Sequence, residues 1–342
     1  MSAPSPVLCT LDLDAPGKHF GRLELPRSNN SSGWSHLFIP VITINGGGEG
    51  PTALVIGGVH GDEPEGQTAA LNLARWTSPE DVPGRLIIVP CASIEASRAY
   101  TRLWPSGANF NRSFPGSPDG PADAQLADYF TRFLIPEADI VVDMHSGGRT
   151  HLCPPWSEMH WVDDAEQRRQ MVEGMLAWNT DVHFVYIDIA GTGLLVGEAE
   201  RQGKIVVSTE MGGGGHVTAA THRVTQGGLA NVLRHFGVLT GEVQTRESLG
   251  LAPPTILRAT DLENYPLAPD SGLFETVVDI GDRVEPGQLL GRIHFIDRPD
   301  REPSPIHAVN GGYVCSVRAI ATTEQGDNAI VVAREIDASE LA

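Results

Sequence analysis

Short apolar runs alternate along this chain with longer stretches whose apolar residues recur at helical spacing. Ala53-Leu54-Val55-Ile56 reads as a strand buried on both faces. Gln67 to Trp76 reads as the helix that follows it. Arg85 to Val89, Ala138 to Asp143 and Lys204 to Thr209 repeat the strand pattern, while Ala122 to Leu134 and Ala165 to Trp178 repeat the helical one. This alternation, from Thr52 to about Leu239, predicts an α/β sheet with helices on both faces. Upstream, residues 1–34 read as an arm with a strand around Phe20 to Leu25. Trp34 to Ile44 is a second strand region, closed by Gly46-Gly47-Gly48 as a turn.

The pattern changes after Pro253-Pro254, which marks a boundary. Thr255 to Ile336 holds short strand-like runs and glycine turns with little helical periodicity. The expected division is an N-terminal segment (1–50), a catalytic α/β domain (51–250) and a β-barrel or sandwich cap (255–342). Val277 to Ile293 resembles a half-repeat of the biotinyl/lipoyl barrel. The hairpin that would carry a modified lysine has none, since no lysine follows Lys204. Such a cap would wall the active site, or serve as a stability or dimerisation module.

Three of the predicted strands end in residues that carry chemistry. After Ala53 to Ile56 comes Gly57-Gly58-Val59-His60-Gly61-Asp62-Glu63. A histidine and a carboxylate three apart, at the C-terminal end of a strand, can face one point in space. Open α/β sheets place their sites at that edge. The run Ala138 to Asp143 ends in Met144-His145-Ser146-Gly147-Gly148. Two histidines and one glutamate (His60, His145 and Glu63) would leave a tetrahedral zinc one open position for water, which is the catalytic arrangement. The metal would lower the pKa of that water to about 7. The third run delivers Glu210 just before Met211-Gly212-Gly213-Gly214-Gly215. A glutamate there fits a general base, and the glycines would let a substrate approach the backbone. Taken singly, each histidine is most simply a loop residue and each glycine a turn. It is their joint placement at strand ends that points to a metal.

Four motifs occur in order: His60-Gly61-Asp62-Glu63, Asn109 to Gly116, Asp143-Met144-His145-Ser146 and Thr209-Glu210-Met211-Gly212. Together they resemble the succinylglutamate desuccinylase/aspartoacylase family, a branch of the zinc carboxypeptidase superfamily, over roughly residues 35–240. The resemblance implies one zinc per chain on His60, Glu63 and His145, with Glu210 as general base. It also implies that Asn111 and Arg112 hold the α-carboxylate of an N-acyl amino acid. An arginine several residues before the Asn-Arg pair would stabilise the oxyanion. Arg98 and Arg102 both stand there, and Arg102 is chosen. Length and N-terminal segment look most like the members that deacetylate N-acetyl-diaminobutyrate in ectoine breakdown. Desuccinylase or aspartoacylase activity, a carboxypeptidase and a non-catalytic metal binder are the alternatives. An acidic substrate side chain would need a further cation, for which Arg149, Arg168 and Arg169 are candidates.

The fork of Arg112 can grip a carboxylate with two parallel hydrogen bonds, though a surface ion pair is the commoner fate of an arginine. Asp143, two before His145, would either orient that ring or cap a turn.

Composition narrows the partners. A formal charge of −19 over 342 residues argues against a nucleic-acid partner. Only Lys18 and Lys204 among the 24 basic residues are lysines. There is no signal-peptide pattern and no apolar run near 18 residues. Cys9, Cys91, Cys153 and Cys315 are scattered without a CxxC pair. A cytoplasmic homodimer acting on a small molecule is expected.

Overall fold

The computed structural model describes residues 4–187 and 191–341. The chain opens with β1 (Leu8–Cys9), β2 (Gly17–Asn29) and β3 (Ser32–Asn45). It continues through β4 (Thr52–Gly57), α1 (Pro64–Trp76), β5 (Arg85–Val89), α2 (Ile94–Ala99), α3 (Ala122–Tyr129) and β6 (Ile140–His145). Next come β7 (His151–Leu152), β8 (Pro155–His160), α4 (Ala165–Ala177), β9 (Val182–Tyr186), α5 (Leu195–Arg201), β10 (Ile205–Met211) and α6 (Ala219–His235). The remainder is β11 (Thr255–Ala259), β12 (Gly272–Thr276), β13 (Arg283–Val284), β14 (Leu289–His294), β15 (Ser304–His307), β16 (Gly312–Arg318), β17 (Thr322–Thr323) and β18 (Ile330–Ile336).

The expected mixed α/β architecture with a C-terminal β segment is present. A 14-stranded sheet runs β1-β2-β3-β5-β4-β6-β10-β8-β9-β11-β18-β16-β13, with β7 joined to β16. A 4-stranded sheet, β15-β14-β12-β17, stands apart. The core strands β5, β4, β6 and β10 are parallel, and β8 runs antiparallel to β10.

Two features go beyond the sequence pattern. The N-terminal segment forms a long hairpin whose β3 pairs antiparallel with β5, so it extends the main sheet. Its inner positions Leu23, Leu25, Leu37, Ile39 and Val41 are buried, while Phe20 and Trp34 are exposed. The sheet also continues past Pro253-Pro254, because β11 pairs in parallel with β9. The predicted helix ending at Leu134 closes with a π turn over Phe130–Leu134.

Successive strand residues point to opposite faces. On one face Val55, Val142, Met144 and Val207 pack with Ala69 and Leu73 of α1 and Leu229 and Val232 of α6. On the other face Leu54, Ile56, Val141 and Val206 pack with Leu195, Val196 and Ala199 of α5. That second face carries the site.

Candidate active site

Three adjacent parallel strands end together, and each passes a functional side chain to the same region. The loop after β4 turns tightly against α2. A Cβ at Gly61 would lie 2.0 Å from the carbonyl carbon of Ala96, so only glycine fits. Pro64 then starts α1 at a position where its missing N–H is no loss. This close turn puts His60 and Glu63 side by side, both 2% exposed. The last residue of β6 is His145, and Glu210 lies beside it in register on β10.

Glu63 bridges the two imidazoles. Its Oε1 lies 2.8 Å from His60 Nδ1 and its Oε2 lies 2.7 Å from His145 Nδ1. One donor atom from each of the three residues falls within 4.8 Å of the others. The far nitrogen of His145, Nε2, is 3.0 Å from Asp143 Oδ2, so Asp143 fixes the orientation of the ring. The Ser146 N–H also donates to Glu63 Oε2, at 3.3 Å. Two nitrogens and a carboxylate converging in a buried site, with a second carboxylate behind one histidine, form a donor set that suits zinc.

The charges are strongly coupled. Burial alone would raise Glu63, but His60 and His145 hold it well below the usual carboxylate range. Burial likewise opposes charge on His145, yet Asp143 and Glu63 outweigh it and push that imidazole well above its ordinary value. Burial dominates at His60, which is pushed down against the pull of Glu63. Glu210 is pushed well up by burial, then by the like charges of Glu63 and Glu158. Its Oε2 is buried without a hydrogen-bond partner.

Arg102 reaches this cluster, with Nη1 3.2 Å from Glu63 Oε1 and 3.2 Å from His60 Nδ1. Asn111 and Arg112 sit on a single 3₁₀ turn (Phe110–Arg112) capped by the Asn109 side chain. Phe110 anchors that turn among Trp104, Phe114 and Phe130, with ring centroids 5.1–6.1 Å apart. The Asn111 Oδ1 accepts from the N–H of Leu195 at 2.9 Å, and Arg112 Nη1 donates to the Asn111 carbonyl at 2.7 Å. His60, His145, Glu210, Arg102, Asn111 and Arg112 all line one cavity of about 440 Å³. A second cavity of about 460 Å³ adjoins it across Tyr186 and Leu194 and holds none of these residues.

Residues 49–236 match the succinylglutamate desuccinylase/aspartoacylase catalytic domain. The chain belongs to this family. It is 41% identical over 335 residues to N-alpha-acetyl-L-2,4-diaminobutyric acid deacetylase of Halomonas elongata, spanning 98% of this chain and 96% of that protein. The product-bound structure of the ectoine utilization protein EutE from Ruegeria pomeroyi superposes with a TM-score of 0.91 at 39% identity, covering 97% of this chain and all (100%) of the other. A succinylglutamate desuccinylase structure from a Silicibacter strain gives 0.90 at 38% identity, covering 98% of this chain and 100% of that one. As a family member, the chain carries the catalytic domain of a deacylase.

Other site features lay outside the sequence pattern. The glycines after Glu210 do not line the cavity. They pack the β10 loop onto the β6 loop: Gly147 N–H donates to the Gly212 carbonyl at 2.8 Å, and a Cβ at Gly213 would lie 2.0 Å from the His151 carbonyl oxygen. Arg149, Arg168 and Arg169 are not among the lining residues. Arg168 stacks on Trp161, and Arg169 pairs with Glu166 and Glu173 on the surface of α4. Sequence reasoning also missed Trp156, Glu158, Phe184 and Tyr186, which line the cavity from β8 and β9. The C-terminal segment adds Tyr265, Ser316, Asn328 and Val331. No helix among the described residues is long and apolar enough to cross a membrane.

Proposed function

We propose that this chain is a zinc-dependent deacylase that hydrolyses the amide bond of N-alpha-acetyl-L-2,4-diaminobutyrate, releasing acetate and L-2,4-diaminobutyrate. The observation that carries the reading is the convergence of His60, Glu63 and His145 beside Glu210 in a cavity that also holds Arg112. The choice of substrate leans on the relatives, named for this deacetylation and for ectoine utilization.

His60, Glu63 and His145 would hold one zinc per chain. When bound, zinc supplies Lewis acidity toward the acyl oxygen and a lowered pKa for water. Glu210 accepts a proton from the attacking water and later delivers it to the leaving amine nitrogen. Arg102, already against Glu63, stabilises the developing negative charge on the acyl oxygen. Asn111 and Arg112 take the α-carboxylate and so set the scissile amide at the reacting groups. The proposal also takes the active form to be a cytoplasmic homodimer working on a small substrate.

A desuccinylase or aspartoacylase reading needs another cation for the extra carboxylate. Arg149, Arg168 and Arg169, the candidates from sequence, lie off the cavity lining. The test is a panel of N-acetyl and N-succinyl amino acids, assayed with zinc and after chelation. The expected result is zinc-dependent release of acetate from N-alpha-acetyl-L-2,4-diaminobutyrate. A preference for succinylglutamate or acetylaspartate would overturn the choice of substrate and leave the deacylase chemistry in place.

A further inference from the structure

We propose that Glu158, with the rings of Trp156, Phe184 and Tyr186, forms a subsite for a positively charged amine on the substrate side chain. This deepens the deacetylase reading above and rests on it.

The strand register builds this subsite. Ser208 pairs with Glu158 across β10 and β8, and Glu210 pairs with Trp156. On the far side Trp156 pairs with Val182, Glu158 with Phe184 and His160 with Tyr186. Alternation therefore places Trp156, Glu158, Phe184 and Tyr186 on the same face as His145 and Glu210. All four line the cavity that holds those two residues. The Trp156 and Phe184 rings are 4.9 Å apart, and Phe184 and Tyr186 are 5.8 Å apart.

The carboxylate of Glu158 is 5% exposed and held by neutral donors. Trp156 Nε1 donates to its Oε2 at 2.7 Å, Ser208 Oγ lies 3.4 Å from its Oε1, and the Tyr186 side chain bonds to it as well. The lysines are engaged elsewhere: Lys18 donates to the carbonyls of Arg75 and Thr77, and Lys204 to that of Pro136. Arg102 pairs with Glu63 rather than Glu158. Burial pushes Glu158 upward, opposed by the Trp156 bond and by His145 and His160. Those two histidines act on it through space, while His145 is bonded to Glu63 and Asp143 and His160 to Glu200. Among the described residues the hydrogen-bond partners of Glu158 are neutral, which is costly for a buried carboxylate. An ammonium group from the ligand supplies the missing charge. Aromatic faces around a carboxylate favour a cation over a neutral group, through the ring quadrupole.

The spacing agrees. Glu158 lies one strand over and two residues along from Glu210, which separates their backbones by roughly 8 Å. In a 2,4-diaminobutyryl substrate the side-chain amine is four bonds, about 5 Å, from the scissile amide nitrogen. A substrate with its amide near Glu210 and its α-carboxylate on Arg112 can therefore extend its amine toward Glu158.

The experiment compares zinc-loaded wild type, Glu158→Gln and Glu158→Asp on three substrates. These are N-alpha-acetyl-L-2,4-diaminobutyrate, its uncharged isostere N-acetyl-L-norvaline, and N-acetyl-L-aspartate. The readout is the ratio of kcat/KM values within each protein. Wild type should prefer the cation, and Glu158→Gln should lower the cation-to-isostere ratio by about 30-fold or more. It should also raise the aspartate-to-norvaline ratio, a gain that structural damage does not produce. Glu158→Asp keeps the charge but withdraws it, so a smaller fall in the first ratio is expected. That variant decides the matter if the glutamine protein does not fold. Unchanged ratios, or equal losses on all three substrates, would overturn the subsite. If wild type itself prefers the acidic substrate, the choice of diaminobutyrate as substrate fails, and the subsite with it, while the deacylase chemistry stands. Good wild-type turnover of the cation with an unchanged ratio in the variants sinks the subsite alone.

Discussion

The two faces of the central sheet carry the same kinds of residue and use them in opposite ways. On one face His145 sits between Asp143 and Glu63, and those carboxylates drive it well above the ordinary imidazole value against burial. On the other face His183, on β9, is fully buried between two hydroxyls. Its Nδ1 lies 2.8 Å from Ser157 Oγ and 3.1 Å from Thr180 Oγ1. Burial, with Arg246 adding to it, pushes His183 down to about 3. One ring is held toward its charged form between two carboxylates, and the other is kept neutral as packing. Burial is common to both, so it is the polar partners that set their opposite charge preferences. The same split holds for the rest of the face. Glu210, Glu158 and Asp143 crowd one side, while Val207, Val142 and Met144 fill the other.

Breaking the active face should produce the largest effects. His145→Ala removes one of three converging donors and leaves Glu63 partly unpaired. Loss of both bound zinc and detectable turnover is expected, measured by metal analysis of the purified protein and by acetate release. Full zinc occupancy in that variant would remove His145 from the donor set. Glu210→Gln is the next step down. It keeps the shape of the side chain and leaves the three donors intact. Zinc content and thermal melting should hold, while kcat falls by about 10²-fold or more. Near-normal turnover would assign the proton transfer elsewhere. Arg112→Ala should then lower kcat/KM on N-acyl amino acids by roughly 30- to several-thousand-fold, the range for a lost charge-assisted pair. The matching amino-acid amides should be poor substrates of wild type and should change little. Equal losses on acids and amides would mean that Arg112 only braces its loop, through its bond to the Asn111 carbonyl.

The active face was legible where chemistry follows a strand directly. His60, Glu63, His145 and Glu210 all lie at or just beyond the ends of apolar runs, and parallel strands bring those ends together without further information. Residues whose role depends on lateral register were not legible. Glu158 lies inside Pro155-Trp156-Ser157-Glu158-Met159-His160, where polar residues occupy both faces and no amphipathic pattern marks the strand. Its place in the cavity follows from pairing with β9 and β10, which are distant in sequence. Tyr265, Ser316, Asn328 and Val331 likewise reach the cavity only through tertiary folding. The glycines after Glu210 carried a visible signal, but its cause is the contact between two loops. A run of glycines records that something comes close, and the sequence does not say whether that is a ligand or the chain itself.

The quiet face gives the smallest expected effect and the sharpest test of the contrast. An imidazole has an ordinary pKa of about 6.5 in the unfolded chain, and His183 lies near 3 in the folded one. Because the folded value is depressed, the native state does not take up the proton that the unfolded state gains below about pH 6.5. The unfolded state then binds more protons, so stability falls as the pH drops from about 6.5 toward 3 and is unaffected by this group above that window. The slope approaches 1.4 kcal/mol per pH unit, on the order of one proton. Denaturant unfolding of wild type and His183→Asn between pH 7 and pH 4 measures it. The amide can still meet Ser157 and Thr180 but does not titrate. The variant should therefore be less stable at pH 7 yet lose stability more shallowly on acidification, by up to one proton's slope, with kcat/KM at pH 7 little altered. Parallel curves for the two proteins would show that His183 titrates normally, and would remove the electrostatic distinction between the two faces.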